Sequence, residues 1–154
     1  MKRDFCKFIF AVSVVLAGVT VIDICTGMAM GKMLPKVDKL CETGRLYYSL
    51  NEVESPILIV GSSRAHHHYV PRIIKDSLSL DAYNLGSDGC FFKYNCCEIN
   101  SILDRYQPQM IIWELSPGKL YEDANDPMEI LYPYYQNNKH VQSCIDSYTK
   151  PIDR

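Results

Sequence analysis

One long and several short apolar stretches set the pattern of this chain. Phe8 to Ile22 carries no charge and few polar groups; after Asp23 the apolar character resumes through Ile24, Cys25, Met28, Ala29 and Met30, and Lys32 ends it. The span from Phe8 to Gly31 is long enough to cross a bilayer, which takes about 20 residues in a helix. Met33 to Leu50 has Leu34, Val37, Leu40 and Leu46 at loosely helical spacing and predicts a stalk or first helix. Ile57-Leu58-Ile59-Val60 is too brief for a helix and rich in β-branched residues, so it predicts a buried strand. Two more strands are expected at Asp81–Leu85 and Met110–Leu115. Helices are expected at Pro71–Leu80 and at Cys90–Tyr106, where Phe91, Tyr94, Ile99, Ile102, Leu103 and Tyr106 share a face before Pro108.

Strand, helix, strand, helix, strand with apolar strands indicates a parallel sheet with right-handed crossovers. The expected fold class is α/β: an N-terminal transmembrane helix, then an incomplete three-layer α/β/α (flavodoxin-like) parallel sheet. Residues 1–32 form a cytoplasmic tip and anchor, 33–54 a stalk or first helix, and 55–154 a partial α/β domain. Beyond Lys119 the pattern weakens. Glu122 to Pro127 reads as a loop, Ile130 to Tyr135 is aromatic and broken by Pro133, and His140 to Tyr148 predicts a short helix. No fourth strand is legible.

Charge sharpens the first element. Lys2, Arg3 and Lys7 before the apolar span place the N-terminus in the cytoplasm and the remainder outside it, at the cell membrane. Asp23 lies in the C-terminal third of the span, where it can reach the interface. A cleaved signal with Gly27-Met28-Ala29 as its site is the alternative; the length of the stretch and its interruption by Asp23 favour the anchor. The formal net charge is only −2 and no Lys/Arg stripe runs along the chain, which argues against a nucleic-acid partner. None of the seven cysteines has CxxC spacing, so no metal and no cofactor is expected. Cys41, Cys90, Cys96, Cys97 and Cys144 lie beyond the anchor, where either one or two disulfides or buried free thiols are open.

In open parallel sheets ligands sit beyond the carboxyl ends of the strands. Three such ends matter: Gly61-Ser62-Ser63-Arg64, Asn84-Leu85-Gly86-Ser87-Asp88-Gly89, and Glu114-Leu115-Ser116-Pro117. The string Ile57 to Ala65, followed by His67, Tyr69 and Pro71, resembles the first block of SGNH (GDSL-like) hydrolases, in the variant with Gly-Ser-Ser for Gly-Asp-Ser. Asn84-Leu85-Gly86 with Gly89 resembles the second block. The resemblance covers about Ser55 to Pro117. It implies Ser63 as nucleophile and the N–H groups of Ser63 and Gly86 as oxyanion donors, with Ser62, Arg64, Asn84, Glu114 and Ser116 around the pocket. A helix N-cap is the other role open to Ser62-Ser63.

The chain departs from the family in two places. Where the third block has an asparagine, Glu114 and Ser116 stand, and a carboxylate repels an oxyanion. The closing Asp-x-x-His is absent; the nearest string is Asn137-Asn138-Lys139-His140. A serine without a base is a poor nucleophile. At most two of His66, His67 and His68 can converge on one point, and packing under the turn or exposure is expected of them before a base or a metal site. Tyr121, Tyr132, Tyr134 and Tyr135 are expected to pack, with sugar stacking as the alternative. The expected function is a membrane-anchored acyl-ester hydrolase or acyltransferase of the cell envelope, inactive alone. Its expected partners are the membrane, an envelope glycan or lipid acyl ester, and a missing C-terminal half. The alternative is a non-catalytic anchored binding or scaffold module.

Overall fold

The computed structural model describes residues 2–115 and 126–149. It divides into two compact units, residues 1–37 and 38–154. In the first, helix α1 (Lys2–Met33, 32 residues) leads into a 3-10 turn at Leu34–Lys36. The apolar side chains of α1 are exposed along its whole length, and it is long and apolar enough to cross a membrane. At about 1.5 Å per residue it is longer than the ~30 Å hydrocarbon core. Its hydroxyls turn inward: Ser13, Thr20 and Thr26 each donate to the carbonyl four residues earlier, at 2.8–2.9 Å. That leaves no hydroxyl of these three seeking water, which a hydrocarbon environment requires.

The second unit is a mixed helical and sheet domain. Helix α2 (Glu42–Asn51) precedes strand β1 (Ile57–Val60), followed by helices α3 (Ser63–His68) and α4 (Pro71–Leu78). Strand β2 (Ala82–Asn84), helix α5 (Phe92–Leu103) and strand β3 (Met110–Trp113) come next. A 3-10 segment (Met128–Tyr134) and helix α6 (Lys139–Thr149) complete the described chain. The three strands form one parallel sheet in the order β2-β1-β3, with Ile59 opposite Asn84 and Ile112, and Val60 opposite Trp113. Strands and helices stand at the predicted positions: β1 matches its apolar run, β2, β3, α4 and α5 are shorter than expected, and α1 and α6 extend past their expected bounds. Met33–Leu50 is not continuous: it breaks after Lys36, and α2 starts only at Glu42.

Burial follows from position in the sheet. β1 is central and buried on both faces. Alternation sends Leu58 and Val60 to one face, where they pack with Val53, Leu85, Ile99 and Ile102 in the core. Leu46 and Leu50 of α2 are also buried, so this helix shares the domain's interior with the sheet. β3 is an edge strand, and Met110 and Ile111 on it remain exposed.

The start of α5 depends on a distant residue. Phe91 occupies the N-cap and has no side chain able to cap. Asp126, itself buried, accepts from the Phe91 N–H through Oδ1 and from the Tyr94 N–H through Oδ2, both at 2.9 Å. The carboxylate thus satisfies orphan donors at the helix N-terminus and sits at the favourable end of its dipole. The pattern of Glu122–Pro127 as loop held no hint of this role.

Candidate functional site

The site lies where β1, β2 and β3 end together. Past the strands the ladder continues: Glu114 N donates to Val60 O at 2.8 Å, Leu85 N to Ile59 O at 2.8 Å, and Ser87 N to Gly61 O at 3.1 Å. This brings the first two predicted loop segments and the described start of the third, Glu114, side by side. Gly61 makes the turn at φ +151°, and a Cβ there would lie 2.9 Å from both Ala65 Cβ and Glu114 Cβ. Only glycine fits that conformation and that gap.

Ser62 is buried at the N-cap of α3 but does not cap it. Its hydroxyl donates instead to Glu114 Oε2 at 3.2 Å. Glu114 Oε1 takes Arg64 Nη2 at 2.6 Å, so one carboxylate, with its side chain only 11% exposed, joins the first and third strand ends. Ser63 is half-buried at the first position of α3. Among the described residues no hydrogen bond links a histidine to it. Ser116 lies outside the described residues, as does Tyr121.

Gly86 and Asn84 are committed to holding the loop. The Gly86 N–H donates to Asn84 Oδ1 at 2.8 Å, while Asn84 Nδ2 donates to Ala65 O at 2.8 Å and Tyr69 O at 2.9 Å. Asn84 therefore ties the end of β2 to both turns of α3. Gly86 must be glycine for a steric reason, because a Cβ would collide with the backbone nitrogen of His66. In this conformation its N–H is taken inside the loop rather than offered to a ligand.

On the other side of α3 stands a second polar cluster. Arg45, from α2, donates through Nη2 to Asn84 O at 3.0 Å and Gly86 O at 2.9 Å, and through Nη1 to His66 Nε2. A guanidinium can only donate, so His66 Nε2 accepts and its proton sits on Nδ1, facing Asp88 Oδ1 at 2.9 Å. His67 Nε2 meets Asp88 Oδ2 at 3.1 Å, and the two imidazoles stack at 4.4 Å. Hydrogen bonds from His66 and then His67 hold the Asp88 carboxyl below its ordinary range. His68 stays exposed.

His66, His67 and Asp88 have the donor atoms of a metal site, all within 4.8 Å of one another. The proton assignment opposes it. A cation on His66 Nδ1 would move the proton to Nε2, directly against the Arg45 guanidinium. As built, the trio is a hydrogen-bonded network that orients α3.

Behind Arg45, a cavity of about 20 Å³ is lined by Glu42, Arg45, Ser49, Tyr83, Tyr94 and Glu98, among others. It has room for about one water. Glu98, on α5, is 3% exposed; Ser49 Oγ donates to its Oε1, and Oε2 has no partner. Desolvation drives this carboxyl up to about 7, against the bond from Ser49 and the nearby charge of Arg45. Burial likewise raises the Tyr83 hydroxyl, with Arg45 pulling it back.

The motif reading reached Ser62, Ser63, Arg64, Asn84, Gly86 and Glu114, but missed Arg45, Asp88, Glu98 and Asp126. Glu98 did leave a trace: it falls four residues after Tyr94 and four before Ile102, on the core face of α5. A carboxylate at a core-periodic position is a signal in itself. Arg45 left none.

In the aromatic cluster, Tyr134 is buried, Tyr132 is exposed, and Tyr135 donates to Asp146 Oδ1 at 2.8 Å. Comparison of the chain with protein-family models, with curated proteins and with solved structures returned no match.

Proposed function

We propose that this protein is a membrane-anchored acyl-ester hydrolase or acyltransferase of SGNH type, with Ser63 as its nucleophile and an incomplete catalytic apparatus in this chain. The observation that carries the reading is the position of Ser63. It follows a fully buried central strand and a strained glycine, and opens the helix beyond the strand's carboxyl end. That is where a parallel sheet presents reacting groups. The hydroxyl of Ser62 is spent on Glu114, so the residue that would otherwise be a simple helix cap is not acting as one.

The strand order β2-β1-β3 supports a flavodoxin-like, three-layer reading, because sheets of that kind begin in the order 2-1-3. The apolar edge at Met110 and Ile111 is suited to pairing with a further strand, and the base would have to come from a segment other than those described. In this reading α1 spans the membrane with the N-terminus in the cytoplasm. The domain works outside it on an acyl ester of an envelope glycan or lipid.

A serine-directed fluorophosphonate probe tests the assignment on the full chain in detergent. Weak labelling is expected, rising when a segment carrying a histidine base is supplied. Ser63→Ala should abolish it and Ser62→Ala should leave most of it. Labelling that survives Ser63→Ala would refute the nucleophile.

Two features favour the second reading, a non-catalytic binding or scaffold module. The Gly86 N–H is bonded to Asn84, and a carboxylate, Glu114, takes the sequence position at which the resembled third block has a donor. Absence of labelling even with a complete second half would leave that reading in place.

A further inference from the structure

The packing of α6 on α5 brings two cysteines together. Cys97, on α5, is fully buried, and its Sγ lies 3.6 Å from the carbonyl oxygen of His140 in the first turn of α6. Cys144 lies four residues after His140, one helical turn further along the same face of α6. Its half-buried thiol is within hydrogen-bonding reach of Cys97. The other thiols have different surroundings. Cys41 is exposed at the cap of α2, where its sulfur accepts the Gly44 N–H, and Cys90 is buried beside Ser87. Cys6 and Cys25 lie on α1.

We propose that Cys97 and Cys144 form a disulfide that staples α6 to α5, made by exchange with a low-molecular-weight or protein disulfide. The two thiols are unequal in the way such exchange needs. The hydrogen bond from Cys97 lowers the Cys144 thiol, while that bond and then burial hold Cys97 well above the ordinary range. Cys144 is also the more accessible of the two. Its thiolate attacks one sulfur of glutathione disulfide, forms a mixed disulfide and releases one glutathione thiolate. Cys97 then attacks the Cys144 sulfur, its proton passing to the second glutathione as that thiolate is expelled. Two protein thiols are oxidised and one glutathione disulfide is reduced to two thiols.

The staple has a mechanical consequence. Without it α6 is held by contacts that include exposed Lys139–Asp104 at 2.9 Å and Ser101 to Asn138 at 3.1 Å. The bond would close a loop containing β3 and the 3-10 segment, so that edge of the sheet and the helix beyond it unfold together. This inference is independent of any chemistry at Ser63.

The test uses the full chain in detergent, treated with glutathione disulfide, alkylated and mapped by mass spectrometry without reduction. A Cys97–Cys144 linked peptide is expected, along with faster non-reducing migration that Cys97→Ser and Cys144→Ser abolish and Cys41→Ser preserves. The oxidised protein should also melt higher than the reduced one by on the order of 10 °C. Both cysteines recovered alkylated after oxidation, or Cys144 linked to Cys96 instead, would overturn the proposal. Mapping is done on the wild type, so a variant that fails to fold does not blunt the result.

Discussion

Two polar clusters flank α3, and they obey different rules. On one side Arg64, Ser62 and Glu114 form a compact set in which both carboxylate oxygens are used and the arginine side chain is 51% exposed. On the other side Arg45 bridges two backbone carbonyls and an imidazole, and beyond it Glu98 keeps an oxygen buried with no partner. Water can replace what is lost at the first cluster. At the second there is room for about one water, and Glu98 lies buried where α2 and α5 meet. Polar groups near solvent mark a place where ligands can come and go. Polar groups in the interior must either be fully paired or shift their protonation. The motif resemblance singles out Ser62, Ser63, Arg64 and Glu114 around the first cluster, whereas burial predicts the larger free energies at the second.

Removing Arg45 should therefore have the largest effect. Arg45→Ala strips donors from Asn84 O, Gly86 O and His66 at once and takes away the cation nearest Glu98. A loss of about 3 kcal/mol is expected, read as a fall in the urea midpoint of the full chain in detergent. A loss below about 1 kcal/mol would put the two clusters on the same footing.

Glu98 sharpens the contrast through pH. Its carboxyl titrates at about 7 in the folded protein and at the ordinary 4.5 when unfolded. Between those values the folded state holds the proton that the unfolded state has released, so stability falls as pH rises. The contribution is fully present below 4.5 and lost once pH passes 7, amounting to about 3 kcal/mol at 1.36 kcal/mol per unit. Glu98→Gln cannot ionise. Unfolding measured at pH 4.5 and pH 8 should show the variant gaining on the wild type by about that amount. An unchanged difference would mean the wild-type carboxylate is compensated in place.

The smallest effect belongs to the first cluster. Arg64→Ala breaks a pair that is half in water, and roughly 0.5 kcal/mol is expected by the same denaturation measurement. A cost as large as that of Arg45→Ala would show that the strand-end pair is a structural clamp.

Much of this architecture is visible without coordinates, because it arises from local periodicity. The length and composition of Phe8–Gly31 already demand a helix with nowhere to hide its side chains. The β-branched run at Ile57–Val60 followed by Gly61 already implies a buried strand ending in a tight turn, with Ser63 just past it. The pattern marks Asn84 and Gly86 as part of a strand-end loop, and the structure shows them holding α3 through the bonds to Ala65, Tyr69 and each other. What periodicity cannot reveal is which distant groups meet. Asp126 caps α5 from beyond β3, Arg45 reaches from α2 to the ends of β2 and α3, and Cys97 meets Cys144 across two helices. Each is a pairing between segments far apart in the chain, whose distance is set by how the sheet and helices close on one core. Backbone donors, buried charges and thiols find these partners only after that closure, so the tertiary structure alone decides them.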